Sequence, residues 1–184
     1  ATIDGSEDID QTLVSALQDV KTSDNITFKP ADNTLTNNSE ISALISLSKI
    51  LPKADFSAID TIEGSANDVA VIKQALAILK NNAAVAVEIT GSINAADINA
   101  ISKATKGILT ADIRDGSIKA TLSALKDIDQ NVKADKLTFK SADTTASAKD
   151  MVALAAKIGD ANFDAKKVEI ITADAKDAVS VVNA

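Results

Sequence analysis

The chain has 184 residues, a formal net charge of -7, and no Cys, His, Trp or Tyr. These absences exclude thiol and imidazole catalysis, disulfides and the zinc sites that need Cys or His. The negative net charge and the scarcity of aromatic residues also disfavour nucleic-acid binding, which needs a basic face and, for single strands, stacking aromatics. Because 46% of the residues are hydrophobic but only 2% are aromatic, we expect a folded chain with a core of Ala, Ile, Leu and Val.

A short motif recurs along the chain: Ile, one or two polar residues, Gly and Ser. It begins at Ile3, Ile62, Ile89 and Ile113, and its glycines are Gly5, Gly64, Gly91 and Gly116. Related segments are ITFKPAD from Ile26, LTFKSAD from Leu137 and KVEIITAD from Lys167. The spacing predicts one repeat domain of seven units, each of about 26 residues. The units lie near residues 1–25, 26–57, 58–85, 86–110, 111–135, 136–166 and 167–184.

A longer period is superimposed on the short one. The interval from Gly5 to Gly116 equals the interval from Phe28 to Phe139. The remaining two aromatics, Phe56 and Phe163, are separated by nearly the same interval. We therefore predict that a block of four units is duplicated and that the second copy contains three units.

Residues 86–110 indicate what one unit is. Residues 86–90 are rich in β-branched residues and end at Gly91, which is typical of a short strand. Asn94 followed by Asp97 predicts the start of a helix, and Gly107 predicts its end. The same helix-start signal recurs at Ser65 with Asp68, Ser147 with Asp150, and Asp174 with Asp177. Each unit is therefore predicted to be a strand, a turn, a helix and a turn.

Two α/β architectures fit such units, because helical crossovers join parallel strands. One is a doubly wound sheet and the other is an α/β solenoid, similar in plan to leucine-rich repeats, in which each unit contacts its neighbours. The regular spacing favours a solenoid of about seven coils with one parallel sheet. Its strands are expected near residues 2, 27, 61, 88, 112, 138 and 169.

The segments ITGSINAADINAISKATKGILTADI and DGSIKATLSALKDI resemble the alanine-rich α/β repeats of giant bacterial secreted and cell-surface proteins. That resemblance is best over residues 86–145 and looser elsewhere. It implies an extracellular or surface location in an adhesin, surface-layer or repeats-in-toxin type exoprotein. The calcium-binding nonapeptide G-G-x-G-x-D of repeats-in-toxin proteins is missing.

Several residue groups allow a functional interpretation beside a structural one. Glycine before a helix can bind phosphate, but a motif present in four units favours a structural turn, so Gly5, Gly64, Gly91 and Gly116 are assigned as turns. Carboxylates that could bind calcium are Asp4, Glu7, Asp8, Asp10, Asp112 and Asp115, and helix capping is the alternative. Glycoside cleavage would need paired carboxylates beside sugar-binding aromatics. Lys103 and Lys106 suit a helix C-terminus better than catalysis.

No apolar stretch approaches the ~20 residues of a membrane span, and the first residues lack a signal peptide. The missing initiator Met and the helical pattern at the end predict a piece of a longer protein. We expect a structural or interaction repeat module, not an enzyme, with no assigned catalytic, cofactor or metal residue. Its partners would be neighbouring repeats, with self-association or a cell surface as further options. The alternatives are a calcium- or glycan-binding module and, less favoured, an enzyme with a doubly wound sheet.

Overall fold

The structure is a computed structural model. It describes residues 2–3, 8–19, 27–31, 33–80, 84–128, 130, 135–159 and 162–173. The turn predicted at Gly5, the candidate calcium ligands Asp4 and Glu7, and the helix start predicted at Asp174 with Asp177 lie outside the described residues.

Strands alternate with helices, as the unit pattern predicts. The strands are β1 (Thr2–Ile3), β2 (Thr27–Phe28), β3 (Thr34–Leu35), β4 (Thr61–Ser65), β5 (Ala86–Ile93), β6 (Leu109–Gly116), β7 (Lys136–Ser141), β8 (Thr145–Ser147), β9 (Phe163–Asp164) and β10 (Ile170–Thr172). The helices are α1 (Gln11–Ala16), α2 (Asn38–Ile50), α3 (Val69–Ile78), α4 (Ala95–Ala104), α5 (Ile118–Ala124) and α6 (Ala148–Ile158). The fold is α/β, with a six-stranded parallel sheet that contains β3, β4, β5, β6, β7 and β9.

The strand pairing repeats the spacing of the sequence. Thr61 pairs with Ala86, and Thr110 pairs with Lys136, so each partner lies close to one repeat further along the chain. Parallel strands need a crossover of a dozen or more residues, usually a helix, between them. One strand, one helix and two turns fill one repeat of about 26 residues, and the repeat length therefore sets the register between strands.

The seven predicted strand positions are confirmed, but the prediction of one sheet is wrong. Residues 2, 27, 61, 88, 112, 138 and 169 lie in or beside β1, β2, β4, β5, β6, β7 and β10. Three further strands, β3, β8 and β9, were not predicted. Outside the six-stranded sheet, β1 pairs with β2, and β8 pairs with β10.

After β2 and after β7 a second short strand follows, where the unit pattern predicts a helix. Pro30 follows β2 closely, and proline has no N–H to continue a ladder of hydrogen bonds. At the related position of LTFKSAD, Ser141 ends β7, and its hydroxyl oxygen accepts a hydrogen bond from the Asp143 N–H at 3.0 Å. In both places the chain turns and starts a second short strand, β3 or β8. In each copy the first of the two strands pairs with the preceding repeat, through β1 or β6, and the second pairs with the following repeat, through β4 or β10.

The chain divides into two compact units, each with its own core. Unit 1 comprises residues 1–90 with 104–108, and unit 2 comprises residues 91–103 with 109–184. The fully buried side chains of unit 1 include Phe28, Leu35, Ile41, Leu44, Leu47, Ile59, Ile62 and Ile72. Those of unit 2 include Ile98, Ile101, Leu109, Leu125, Leu137 and Leu154. Both cores are mainly aliphatic, as the composition predicts.

Each unit also contains one pair of aromatic rings. The centroids of Phe28 and Phe56 are 6.0 Å apart in unit 1, and those of Phe139 and Phe163 are 6.0 Å apart in unit 2. The first pair is tilted by 60°, whereas the second is stacked at 20°. The four aromatics that define the longer period in the sequence therefore form one ring contact in each unit, with different geometry.

Hydrogen bonds reproduce the longer period as well. In unit 1 the N–H groups of Asp60 and Thr61 both donate to the Asn33 carbonyl oxygen, at 2.8 and 3.1 Å. In unit 2 the N–H groups of Glu169 and Ile170 both donate to the carbonyl oxygen of Thr144, again at 2.8 and 3.1 Å. The interval between the two arrangements is close to the longer period of the sequence, which supports a duplicated block.

The backbone favours glycine at Gly91 and at Gly107 for different reasons. Gly91, inside β5, has a φ of 81°, in the left-handed region that favours glycine. Gly107 follows α4, and a Cβ on it would lie 2.2 Å from the carbonyl oxygen of Val85. Because that neighbour is backbone, it cannot move aside in the way that a side chain can.

We therefore expect Gly107→Ala to lower the free energy of unfolding by about 1 to 3 kcal/mol, the usual cost of overpacking. Gly116→Ala is the matched control, because a Cβ there would meet its nearest neighbour at 3.7 Å and φ is not positive. Urea unfolding of both variants checks the prediction. Equal stability of the two variants would show that the chain does not approach Gly107 closely.

Candidate functional site

A polar groove of about 620 Å³ runs along β6, β7 and β9 in unit 2. Alternate residues of a strand point to opposite sides, and the exposed residues of β7 are Lys136, Thr138 and Lys140. The groove is lined by Ser92, Asp112, Ile113, Asp115, Thr138, Phe139, Lys140, Asn162, Phe163, Asp164, Ala165 and Lys166. It is the strongest candidate for a ligand site in the part of the chain that the structure describes.

Several polar groups of the groove bind one another. The hydroxyl of Thr138 donates a hydrogen bond to the Asp112 carboxylate, across paired positions of β6 and β7. The ammonium nitrogen of Lys166 lies 3.8 Å from Asp164 Oδ2, and Lys140 is opposite Asp164 in the ladder. The groove thus contains carboxylates and lysines side by side. It can offer hydrogen bonds to a polar ligand, but it does not concentrate charge of one sign.

The carboxylates predicted as calcium ligands have separate positions. Asp112 and Asp115 line the groove together with Lys140 and Lys166, whose positive charges oppose a bound cation. Asp8 is exposed. Among the residues that the structure describes, no group of three or more carboxylates is placed to hold a metal ion.

Asp10 caps a helix. Its Oδ1 accepts a hydrogen bond from the Leu13 N–H at 2.8 Å at the start of α1. That bond lowers the pKa of the Asp10 carboxyl, because it favours the ionised form. Asp10 is therefore a helix cap, the alternative to calcium binding that the sequence left open, and Asp is among the residues preferred at this position.

The helix-start signals at Ser147 and at Ser65 precede helices, with differences in detail. Ser147 caps α6, since its hydroxyl oxygen accepts from the Asp150 N–H at 3.4 Å. Before α3, the Ser65 oxygen accepts from the Asn67 N–H at 3.2 Å, and the Ser65 N–H donates to Asp68 at 3.3 Å. The Ser that follows Gly64 is therefore engaged in local hydrogen bonds within the turn.

The three predicted turn glycines that the structure describes lie in strands. Gly64 and Gly91 are inside β4 and β5, and Gly116 is the last residue of β6. The strands are longer than predicted and continue through the motif. A Cβ on Gly64 would lie 2.6 Å from Ile72 Cδ1, so this glycine allows the strand to approach α3 closely.

No pattern in the sequence pointed to Asp135, which is the most buried carboxylate of the described residues and lies in unit 2. Its Oδ1 accepts from the Leu109 N–H at 2.8 Å, and its Oδ2 accepts from the Ser102 hydroxyl at 2.8 Å. Only 5% of Asp135 is exposed. Two donors satisfy the carboxylate at the start of β6, as burial of a charged group requires.

Asp135 belongs to a set of hydrogen bonds that involve side chains and join positions about one repeat apart; we call them repeat-length bonds. Others are Ile118 N–H to Asp143 at 2.8 Å, Asn99 amide to Asp127 at 2.9 Å, Thr90 hydroxyl to Gly64 oxygen at 3.2 Å and Thr172 hydroxyl to Ala146 oxygen at 3.3 Å. Each bond links one repeat to the next. Several Asp and Thr side chains therefore serve this purpose.

Asp127 has several partners. It accepts from the Asn99 amide, and its Oδ2 lies 3.2 Å from the ammonium nitrogen of Lys103. The Asn99 bond, followed by the bond and charge of Lys103, lowers the pKa of the Asp127 carboxyl. Lys103, which the sequence placed at a helix end, thus forms an ion pair, and Lys106 is exposed.

Comparison with known proteins gave no match: no protein-family profile, no curated protein and no solved structure is similar to this chain. The resemblance to alanine-rich surface repeats therefore stays a prediction from the sequence. Within the described ranges, no helix combines the length and the apolar character that a membrane span needs.

We expect the stability to decrease in acid, partly through Asp127. A carboxyl whose pKa is lower in the folded state stabilises the fold above its unfolded pKa of about 3.9. This contribution is lost as the pH falls through that value towards the lower folded pKa. Urea unfolding at about pH 6 and about pH 2.5 should show a smaller decrease for Asp127→Asn than for the unaltered chain.

The control is Asp115→Asn, which changes an exposed groove carboxyl and should retain the full decrease. If Asp127→Asn and the unaltered chain lose the same free energy in acid, the bonds from Asn99 and Lys103 do not stabilise the ionised form.

Proposed function

We propose that this chain is a structural or interaction repeat module of a bacterial extracellular or surface protein, acting as a spacer, surface-layer or adhesin segment. The repeat-length bonds carry this proposal. The carboxylates of Asp127, Asp135 and Asp143 link one repeat to the next, and Asp10, which the sequence offered as a calcium ligand, caps a helix. We assign the module no catalytic activity of its own.

We further propose that the repeats form an α/β solenoid of about seven coils. Parallel strands at the seven expected positions support it, and so do pairing distances close to one repeat. In a solenoid each unit contacts its neighbours, and stability is therefore a sum of local contributions. The function of such a module comes from its shape and its surface.

The extracellular location rests on the resemblance of residues 86–145 to alanine-rich surface repeats. The quoted residues have backbone and core roles: Gly91 has a positive φ inside β5, and Ile98 and Ile101 are fully buried. These are roles that a repeat family would preserve in every unit. The proposed partners are neighbouring repeats of the same kind.

Hydrogen exchange of the full chain tests the repeat architecture. Protection should be highest for residues 86–125 and should decrease towards both ends, because terminal units have a neighbour on one side only. Uniform protection along a strictly monomeric chain would contradict a solenoid, because it would indicate one cooperative unit.

The groove in unit 2 is the basis of a second candidate function, a calcium- or glycan-binding module. Its Asp112, Asp115 and Asn162 side chains offer oxygen atoms, and its volume could hold a small polar ligand. Lys140 and Lys166 argue against calcium, and the groove has Phe163 but no Trp or Tyr to stack on a sugar.

Calorimetry distinguishes the two functions. Titration of the chain with calcium should give no saturable heat if the module is structural. Saturable heat that is lost in Asp112→Asn and kept in an Asp8→Asn control would support the groove as a calcium site, and would contradict the purely structural proposal.

A further inference from the structure

The strand β10 has an apolar open edge. It pairs with β8 on one side, and on the other side no strand follows in the part of the chain that the structure describes. Ile170 is 58% exposed and Ile171 is 45% exposed, and Ile170–Thr172 contains no charged residue. Natural sheets protect open edges with charges, proline or a cover. An uncharged edge with two exposed isoleucines is therefore suited to a partner strand.

The duplicated block identifies which strand of unit 1 corresponds to β10. In unit 1, Thr34 pairs with Thr61 and Leu35 with Ile62, between β3 and β4. In unit 2, Thr145 pairs with Ile170 and Ala146 with Ile171, between β8 and β10. The backbone hydrogen bonds that lead into β4 and β10 have equal lengths, and their acceptors, Asn33 and Thr144, occupy corresponding positions. The strand β10 therefore corresponds to β4, with Ile170 in the place of Thr61.

In unit 1 the second edge of β4 is occupied by β5. Thr61 pairs with Ala86, Ile62 with Val87 and Gly64 with Ile89. Ile62 and Val87 are fully buried side by side. The residue that corresponds to Ile62 is Ile171, which is 45% exposed. Among the described residues, no strand occupies the corresponding edge of β10 in the way that β5 occupies this edge of β4.

We propose that the open edge of β10 binds a further strand-helix unit with the pattern of residues 84–108, in parallel and in the register of β5 on β4. Ile170 would then pair with an Ala86-type residue and Ile171 with a Val87-type residue. The inference rests on the proposed function as a repeat module, and it specifies which kind of repeat fits this edge.

A second copy of this chain fits the edge less well. The first motif of the chain, IDGS from Ile3, corresponds to IRDGS from Ile113 at the longer period. The strand β1 is therefore of the β6 kind, whereas the edge matches a strand of the β5 kind. The chain's own β5 is already paired with β4. The occupant is therefore a separate unit of the β5 kind and not the first strand of another copy.

The test is a full chain to which residues 76–108 are fused after Ala184. Ala184 lies as many residues after Ile170 as Ala75 lies after Thr61. An added segment that starts with Leu76 therefore places its β5-type strand as far along the chain from β10 as β5 is from β4. Hydrogen exchange at the amides of residues 170–172 should become at least about tenfold slower than in the unextended chain, because their environment becomes that of a central strand.

The matched control is the same extension with Val87→Lys and Ile89→Lys in the added segment, which places charges where β5 is buried. It should leave exchange at residues 170–172 as it is in the unextended chain. Equal exchange in all three proteins would overturn the inference, and equal slowing by both extensions would show that docking is not specific to the β5 pattern.

The unextended chain separates the remaining outcomes. If its exchange at residues 170–172 slows as its concentration rises, a second copy occupies the edge and the inference is wrong. If its protection shows no decrease from residues 86–125 towards the ends, the repeat-module proposal fails. If that decrease is present and the extension has no effect, only the inference about this edge fails.

Discussion

The structure depends on one geometric constraint: positions one repeat apart along the chain must lie side by side. Parallel strands impose this on the backbone, because each ladder contact needs a crossover of one whole repeat. The side chains then exploit it, as in the bonds from Leu109 to Asp135 and from Ile118 to Asp143. A carboxylate in one repeat satisfies a strand or helix N–H in the preceding one. The repeat length, the register and the buried polar groups are consequences of the same constraint.

This constraint explains the unusual composition. The chain has 21 Asp and five Glu, and the short Asp side chain can hydrogen-bond to nearby N–H groups in turns and at helix starts. The lowered pKa values of Asp10 and Asp55 have this origin, since each accepts hydrogen bonds from nearby residues, whereas the lowered pKa of Asp127 comes from Asn99 and Lys103 in the preceding repeat. In Asp55 the donor residue is Ser57, close by in the same turn. A large acidic content therefore reflects architecture here.

The duplicated block gives the molecule its second level of order. Corresponding bonds at Asn33 and Thr144 have equal lengths, yet Pro30 in one copy is replaced by Ser141 in the other. The two aromatic pairs also differ in geometry. When the copies are aligned on their hydrogen bonds, Phe163 lies slightly before the residue that corresponds to Phe56. The copies preserve backbone contacts more closely than side-chain packing. An edge such as that of β10 can thus be interpreted through its counterpart β4.

The amino-acid sequence alone determined the repeat length, the seven strand positions, the aliphatic core and helix starts such as that of Ser147 with Asp150. These features depend on local pattern and on spacing along the chain. Only the tertiary structure decided that a second strand follows β2 and β7, that Gly64 lies inside a strand, and that Asp135 binds Leu109 and Ser102. The groove beside Asp112 and Lys140 was equally beyond the sequence. Each depends on which residues meet across a whole repeat or more, and a local pattern does not encode that choice.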